Sequence, residues 1–491
     1  MSRLRSARAD DVVMFASLSA IVPMACVTAA AIAAMTAEAF RAPGERMPIG
    51  PLGLIGLLGA AAAAILLWDR HAASFGVVVA DNFSLFVTGT LIVVGVLSLA
   101  ISGPIVERQA LPAGEYYALM LFSLAGMILM AMASDLLVIF LALEVLSLGV
   151  YVLTGIRRDS PTATEAAFKY FLLGAFSSAF FLYGIAFAYG VTGSTRLDRI
   201  GSLMAAQAMS PTPLQLLAMA LLLIGFAFKV SAVPFHMWTP DAYEGAPSPV
   251  TGFMSTGVKA AAFAAFARVF LSALEPLRGQ WSGPLQAIAI ATMIVGTVVG
   301  VAQSNVKRML AYSSIAHAGY LLVALISAND VGKGAILFYL LTYAVTNLGA
   351  FGVIGLLERG DGIGDRVSDF AGLWNVRPGL AALMTIFLLS LGGFPPLAGF
   401  IAKWYVFTAA MKAGYTWLAI VGVLTSVVSV FFYLRIVVMM YMTPASASAP
   451  IPATPRLAGA ALVVSAILVF YLGILPTQVL NWAVASIGTI F

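Results

Sequence analysis

The sequence predicts an all-α polytopic membrane protein: about 14 transmembrane helices, two inverted five-helix repeats, and breaks in helices 7 and 12. Three observations lead there. The chain is 61% hydrophobic and 10% charged, against about 25% charged for a soluble domain. Apolar windows of about 20 residues, each enough to cross a bilayer, recur along all 491 residues with short polar or Gly/Pro breaks between them. Two of those windows contain prolines at corresponding places in the two halves.

The net charge of +5 reflects scattered basic loop residues, since no basic cluster is long enough to grip a nucleic acid. Cys26 is the only cysteine and lies in an apolar window. Disulfides, cysteine-ligated zinc and iron–sulfur clusters are therefore excluded within this chain. The three histidines are too scattered for a metal site.

The windows, in order, are 12–36, 50–68, 78–102, 117–132, 134–156, 165–190, 214–238, 250–273, 284–303, 309–327, 333–357, 380–410, 415–441 and 457–481. The first follows SRLRSARADD, a basic start like that of a signal peptide. Its apolar run is long for a signal, so an uncleaved span is expected despite the small residues Ala29, Ala31 and Ala33. The longest polar interruption, ERGDGIGDRVSDFAGLWNVRPG, separates the eleventh and twelfth windows. Asp365 stands where the last glycine of a nucleotide-binding GxGxxG would be, so a surface loop is expected there.

Connections after odd-numbered helices hold Arg41, Arg46, Arg108, Arg157, Arg158, Lys307, Arg308, Arg359, Arg366, Arg377 and Arg456. Those after even-numbered helices hold fewer: Arg70, Arg196, Arg199, Arg278, Lys333 and Lys412. The positive-inside rule then places the odd connections in the cytoplasm and both termini outside. Arg3, Arg5 and Arg8 at the N-terminus point the other way.

An offset of 169 lays Phe168-Lys169-Tyr170-Phe171-Leu172 on Leu337-Phe338-Tyr339-Leu340-Leu341 and Val150-Tyr151 on Gly319-Tyr320. Helices four to eight then match nine to thirteen. Five is an odd number, so the two units sit inverted. The chain divides into residues 1–116 (helices one to three), 117–273 (first repeat), 284–441 (second repeat) and 457–491 (the last helix). Pro234 cannot donate to the carbonyl of Val230. Pro395 and Pro396 likewise free the carbonyls of Leu391 and Gly392. Paired interrupted helices in two repeats point to an ion path, since bare backbone at membrane depth needs protein or water around it. A packing kink is the plainer alternative.

Ionisable residues inside the windows are costly, by about 2.5–3.5 kcal/mol or more each. Glu144 lies near the centre of its window, and Lys229 is its expected partner. Their pair is either a proton switch or a static lock between helices. Lys229 stands beside the first break; Lys259 lies among small residues that let helices approach closely; Lys403 follows the second break. Unlike arginine, lysine can lose its proton when desolvated. The alternatives are snorkelling for Lys229 and Lys403, and an amine resting on a carbonyl for Lys259. Lys169 is expected to reach Glu144 or the interface. His317 reads equally as a proton relay or a hydrogen-bonded core histidine, and His236 as a relay or a cap of the break. Asp241 and Glu244 are expected at a solvated end, and Lys307 and Arg308 as a loop anchor.

The stretches LEVLSLGVYVL, EAAFKYFLLGAFSSAFFLYG, FKVSAVPFHMWTPDAYEGAPSPVTGFMSTGVKAAAFAAFARVF, NVKRMLAYSSIAHAGYLL and GGFPPLAGFIAKWYVF, within residues 143–407, together resemble the antiporter-like membrane subunits of respiratory complex I, the bacterial NADH:quinone oxidoreductase. The resemblance implies fourteen helices with broken seventh and twelfth helices. It implies proton translocation driven by quinone reduction in partner subunits of a translocase. Glu144 and Lys229 take the roles of the family's ion pair, Lys259 of the central relay, Lys403 of the exit-side group and Lys169 of a further lysine. NADH, flavin, iron–sulfur clusters and quinone belong to partner chains, with no cofactor in this one. The expected partners are the complex's other membrane subunits, including neighbouring antiporter-like subunits, and the lipid bilayer. The alternatives are a subunit of a multisubunit sodium/proton antiporter or a non-pumping structural membrane subunit.

Overall fold

A computed structural model of the protein describes residues 18–40, 49–206, 210–359, 364–444 and 453–490. Arg3, Arg5, Arg8, Arg41 and Arg46 lie outside the described residues. The helices are α1 (Val22–Ala39), α2 (Ile49–Leu67), α3 (Asn82–Arg108), α4 (Ala113–Met132), α5 (Leu136–Thr154) and α6 (Pro161–Thr192). Then come a short α7 (Leu197–Ala206), α8 (Pro213–Lys229), α9 (Trp238–Gly245) and α10 (Ser248–Ala273). The second half holds α11 (Arg278–Val301), α12 (Val306–Ser327), α13 (Asp330–Leu357), α14 (Pro378–Gly392), α15 (Ala398–Lys412), α16 (Thr416–Met442), α17 (Arg456–Ile474) and α18 (Thr477–Ile487). Among the described residues, twelve helices are long and apolar enough to cross a membrane, and α8 and α14 are shorter apolar helices. These two are the expected seventh and twelfth, cut short by their breaks, so each of the fourteen windows contains an apolar helix among the described residues.

Both expected breaks are present. In the seventh window α8 stops at Lys229 and eight residues of turn precede α9. Pro234 cannot continue the ladder, and Ser231 adopts a left-handed φ of 63°. The freed groups are rebound locally: Ala232 N donates to Ala227 O (2.8 Å), and Trp238 Nε1 to Phe228 O (3.1 Å). The twelfth window divides at Gly393, whose φ of 88° favours glycine. Where α15 starts, a Cβ on Gly399 would strike the Ser390 carbonyl, so the two half-helices pack backbone to backbone. The last window divides at Pro476. Residues 78–80 form a strand, paired antiparallel with 72–74, before α3 begins. Helix α7 went unread. Its inward residues Leu197, Ile200 and Met204 follow helical spacing within a connection too short and polar to pass as a span.

The core is built around α10, whose residues are all buried except Ser272 and which packs against α3, α4 and the similarly buried α13. A helix apolar all round can sit at the centre of a bundle, where neighbours replace solvent on every side. Helices α1, α2, α6, α11, α16 and α17 form the perimeter and keep exposed leucines, valines and phenylalanines on their outer faces. Helix α10 contains π-helical turns at Met254–Val258 and Val269–Ala273. The first ends immediately before Lys259 and sets the direction in which that side chain leaves the helix.

Buried ion pairs pin α10 at both ends. Near its C-terminus Arg268 makes a forked contact with Asp81, Nη1 to Oδ2 at 2.8 Å and Nη2 to Oδ1 at 2.9 Å. Asp81 also caps α3 through Ser84 N at 2.8 Å. Near the N-terminus, Glu358 accepts from Ser248 N (3.1 Å) and Ser248 Oγ (2.6 Å). The region beginning at Glu358 was expected to be a surface loop. Instead Glu358 is 3% exposed and Asp365 5% exposed. The carboxylates fold inward because Arg157 and Lys307 lie beneath them (3.2 and 3.5 Å from Glu358 Oε1).

Removing one partner of a buried pair leaves an uncompensated charge, at a cost of about 3–5 kcal/mol. Arg268→Met is therefore expected to lower thermal stability in detergent markedly, and Asp81→Leu in the same chain to recover most of the loss. An Arg268→Met protein that melts like the wild type would remove this role for the pair.

Candidate functional site

The site grows from one helical face of α5. Glu144, Ser147 and Tyr151 stand at i, i+3 and i+7, so they share a side of the helix. Ser147 and Tyr151 face inward, while Glu144 is half-buried beside the exposed Leu141, Val145 and Leu148. Lys229, the last residue of α8, is 3% exposed and donates to Ser147 Oγ at 2.7 Å. The Ser147 hydroxyl donates onward to Leu143 O. The rings of Tyr151 and Tyr170 lie 5.7 and 5.8 Å from Nζ.

The expected Glu144–Lys229 ion pair is not closed. Glu144 accepts instead from Ser178 Oγ at 2.5 Å, and among the described residues no Glu144–Lys229 contact falls within ion-pair distance. The serine interposed one turn along α5 takes the lysine, while the carboxylate turns to α6. Beside Lys229 is a cavity of about 10 Å³ lined also by Tyr151, Ser177 and Ser178, the serine that holds Glu144. That is roughly the room one water requires.

Lys259 lies at the centre of the molecule, 2% exposed. It donates to Ser314 O (2.7 Å) and Ser314 Oγ (2.5 Å) on α12. The amine rests on a carbonyl, and the hydroxyl adds a second acceptor. Tyr243 OH stands 3.5 Å from the same hydroxyl, and the Tyr343 ring 5.9 Å from Nζ. One turn beyond Ser314, His317 Nδ1 bonds Tyr339 OH (2.6 Å) and Nε2 lies 3.4 Å from Tyr433 OH. Tyr433 also bonds Ser313. Hydroxyls hold both ring nitrogens, so the histidine is at once a satisfied core residue and a member of a hydrogen-bonded chain.

Lys403 does not snorkel. It is 5% exposed and turns back into the second break. Its ammonium donates to Leu391 O (2.8 Å), Gly392 O (3.1 Å) and Ser426 Oγ (2.8 Å). The two carbonyls freed by Pro395 and Pro396 are thus its acceptors. A second cavity of about 10 Å³ joins His317 and Tyr339 to Ser390 and Leu391 at the break.

One pattern unites the three sites. Each of these three lysines rests on a serine hydroxyl: Lys229 on Ser147, Lys259 on Ser314 and Lys403 on Ser426. A hydroxyl accepts from an ammonium and can turn to donate to a neutral amine. It therefore tolerates both protonation states, which a carboxylate partner would not.

Lys169 is 44% exposed and belongs to a different cluster at the rim. It pairs with Glu165 (2.7 Å) and Asp241 (2.9 Å), not with Glu144. Arg308 bridges Asp241 and Glu244, both at 2.7 Å. Asp241 and Glu244 are accordingly half-buried ion-pair members rather than freely solvated groups. This network ties the short helix α9 after the first break to α6 and α12. The His236 carbonyl accepts from Thr239 N at 3.0 Å, closing the turn into α9. Sequence reasoning missed Glu358 and Asp81 because each sits at the edge of an apolar window, where composition reads as loop. Lys307, read as a loop anchor, is fully buried and donates to Ala246 O at 2.6 Å. Among the described residues no group of three or more His, Cys, Asp and Glu side chains is placed to hold a metal.

Comparison with known proteins gives consistent matches. The transmembrane family described as NADH:quinone oxidoreductase/Mrp antiporter matches residues 133–429. The NADH-quinone oxidoreductase subunit N of Trichlorobacter lovleyi is 47% identical over 436 residues, covering 87% of this chain and 88% of that protein. The subunit N of Chloroflexus aggregans is 43% identical over 467 residues, covering 94% and 95%. Among solved structures, a chain of respiratory complex I from Thermus thermophilus with bound aureothin superposes with a TM-score of 0.80 at 36% identity, covering 94% of this chain and 98% of that one. A chain of the Mrp complex from Dietzia, 22% identical with a TM-score of 0.82 over 97% of each chain, shares the fold.

The hydrogen bond from Ser178 should be visible in the carboxylate. Ser178→Ala is expected to shift the Glu144 carboxylate band in infrared difference spectra, and Ser147→Ala to leave it in place. The reverse pattern would show that Lys229 and Glu144 pair directly.

Proposed function

The chain belongs to the NADH:quinone oxidoreductase and Mrp antiporter membrane-subunit family, within the subunit N group, and from that premise we propose that it translocates protons along Glu144, Lys229, Lys259, His317 and Lys403. The observation that carries the proposal is the set of three buried lysines, each on a serine hydroxyl, two of them beside broken helices. Lys169 stands at the rim of the first break, where Asp241 and Arg308 connect it to α9, and serves as an entry-side group.

Pairing of Lys229 with Glu144 would replace the Lys229–Ser147 and Glu144–Ser178 contacts, next to the water-sized cavity at Lys229 and Ser178. Closing the pair holds the proton on Lys229; opening it returns the lysine to Ser147 and favours release toward Lys259. A change in pairing worth about 1.4 kcal/mol alters proton affinity tenfold. Moving one charge against 100 mV costs about 2.3 kcal/mol, so a change of about fiftyfold is enough. From Lys259 the hydroxyls of Ser314, Ser313 and Tyr433 and the imidazole of His317 lead toward the second cavity. Lys403 then takes the proton on the exit side. Glu144, half-buried on the outer face of α5, is placed to sense a neighbouring subunit.

In this reading residues 117–273 and 284–441 are two inverted five-helix units, each with one broken helix, preceded by residues 1–116 and followed by 457–491. The chain works as a subunit of a proton-translocating NADH:quinone oxidoreductase in the bacterial inner membrane, beside other antiporter-like subunits. Both termini face the periplasm, on the count of basic residues in the odd connections. NADH, flavin, iron–sulfur clusters and quinone belong to the partner subunits. The Mrp likeness keeps a sodium/proton antiporter subunit as the second reading, and association with redox subunits separates the two. A purely structural subunit predicts that lysine substitutions alter assembly and leave pumping intact.

In the assembled complex, Lys229→Ala is expected to reduce protons moved per electron, and unchanged stoichiometry would end the assignment. Glu144→Gln should impair pumping while electron transfer from NADH to artificial acceptors continues at the wild-type rate.

A further inference from the structure

On the same end of the bundle as Lys307 and Glu358, the connections after α3, α5 and α13 enclose a recess of about 510 Å³. Four arginines line it: Arg108, Arg157, Arg158 and Arg359. We propose that this recess binds the phosphodiester headgroup of an anionic phospholipid.

Charge is the first argument. Against four guanidinium groups the recess itself has two carboxylates, Glu115 and Asp159, both exposed. Arg157 is partly engaged by Glu358 below, and Arg108 Nη1 is occupied by the carbonyls of Glu358 (2.8 Å) and Leu356 (3.2 Å). Arg158 and Arg359 make no hydrogen bond or ion pair among the described residues. Two cations therefore stand ready beside two that are already oriented. Guanidinium groups suit phosphate because their donors match its oxygens in pairs.

Unmet hydrogen bonding is the second argument. The amide of Gln109 faces this recess, and both its Nε2 and Oε1 are buried without a partner, as is Nε of Arg157. Buried polar atoms of this kind are rare in a finished structure. Two donors and one acceptor suit a headgroup carrying phosphate oxygens and a hydroxyl.

Position is the third. The recess lies at the ends of membrane-crossing helices, at headgroup depth, and its floor contains Leu111, Pro112 and Ile156. A soluble phosphate gains nothing from an apolar floor, whereas a lipid lays its glycerol and acyl carbons there. Basic pockets between spans on the positively charged side of a membrane are the usual seat of anionic headgroups. Arg157 joins this site to the start of α10, since Nη1 contacts Glu358 (3.2 Å) and Nη2 donates to Gly245 O (2.9 Å). A bound headgroup would therefore brace the helix that carries Lys259.

The test uses the assembled, delipidated complex, titrated with cardiolipin, phosphatidylcholine or inorganic phosphate, with binding read by native mass spectrometry. Cardiolipin is expected to bind in preference to phosphatidylcholine, and Arg158→Gln/Arg359→Gln to weaken it by about thirtyfold. Equal binding of the two lipids, an unchanged affinity in the variant, or full displacement by inorganic phosphate would each overturn the proposal. So would loss of a neighbouring subunit from the variant complex, which would make the recess a protein contact. Should the double variant fail to assemble, Gln109→Leu offers a second route, with cardiolipin affinity again expected to fall. Retained affinity in that variant would count against the site.

Discussion

Everything in this structure follows from the cost of holding ammonium groups at membrane depth. Lys229, Lys259 and Lys403 are at most 5% exposed, and each needs acceptors that do not neutralise it permanently. The chain supplies them from hydroxyls and from backbone released at proline. Ser147, Ser314 and Ser426 serve one lysine each, and the carbonyls of Leu391 and Gly392 complete the shell of Lys403. A carboxylate in contact would favour the charged form more strongly than the hydroxyls and carbonyls that hold these lysines.

The broken helices are best understood as part of that solvation. A continuous helix satisfies its carbonyls internally and offers nothing to a lysine. At the second break the freed carbonyls go directly to Lys403. At the first, backbone and Trp238 rebind the freed groups, and Lys229 turns to α5 instead. The two halves thus solve one problem in different ways. The static ion pairs form a separate system. Asp81–Arg268 and the Glu358 cluster hold the ends of α10, and the Asp241–Arg308 network holds α9. With both ends fixed, the middle of α10 can present Lys259 to Ser314 with little freedom in its direction.

A likeness to both respiratory and antiporter subunits fits such a division. Under the proposed function, the lysines, serines and breaks would be the ion-handling core, with the source of energy left to neighbours. Glu144, half-buried among the outward leucines of α5, is the point at which that core reaches the edge of the chain.

Much of this was legible in the residues alone. Hydropathy located all fourteen windows, because a bilayer demands about 20 apolar residues whatever the tertiary contacts. Proline chemistry identified both breaks and named Leu391 and Gly392 as freed carbonyls before any contact was known. The cost of charge singled out Lys229, Lys259, Lys403 and Glu144. Only the tertiary structure decided which partner each charge takes. Glu144 and Lys229 looked like a natural pair, yet one turn of helix puts Ser147 between them. Lys169 went to Asp241, 72 positions away. Glu358 was hidden because a carboxylate beside a glycine-rich loop looks solvated until Lys307, Arg157 and Ser248 are seen to surround it. Burial within one helix is a local property of composition, whereas hydrogen-bond partners are set by how distant helices cross.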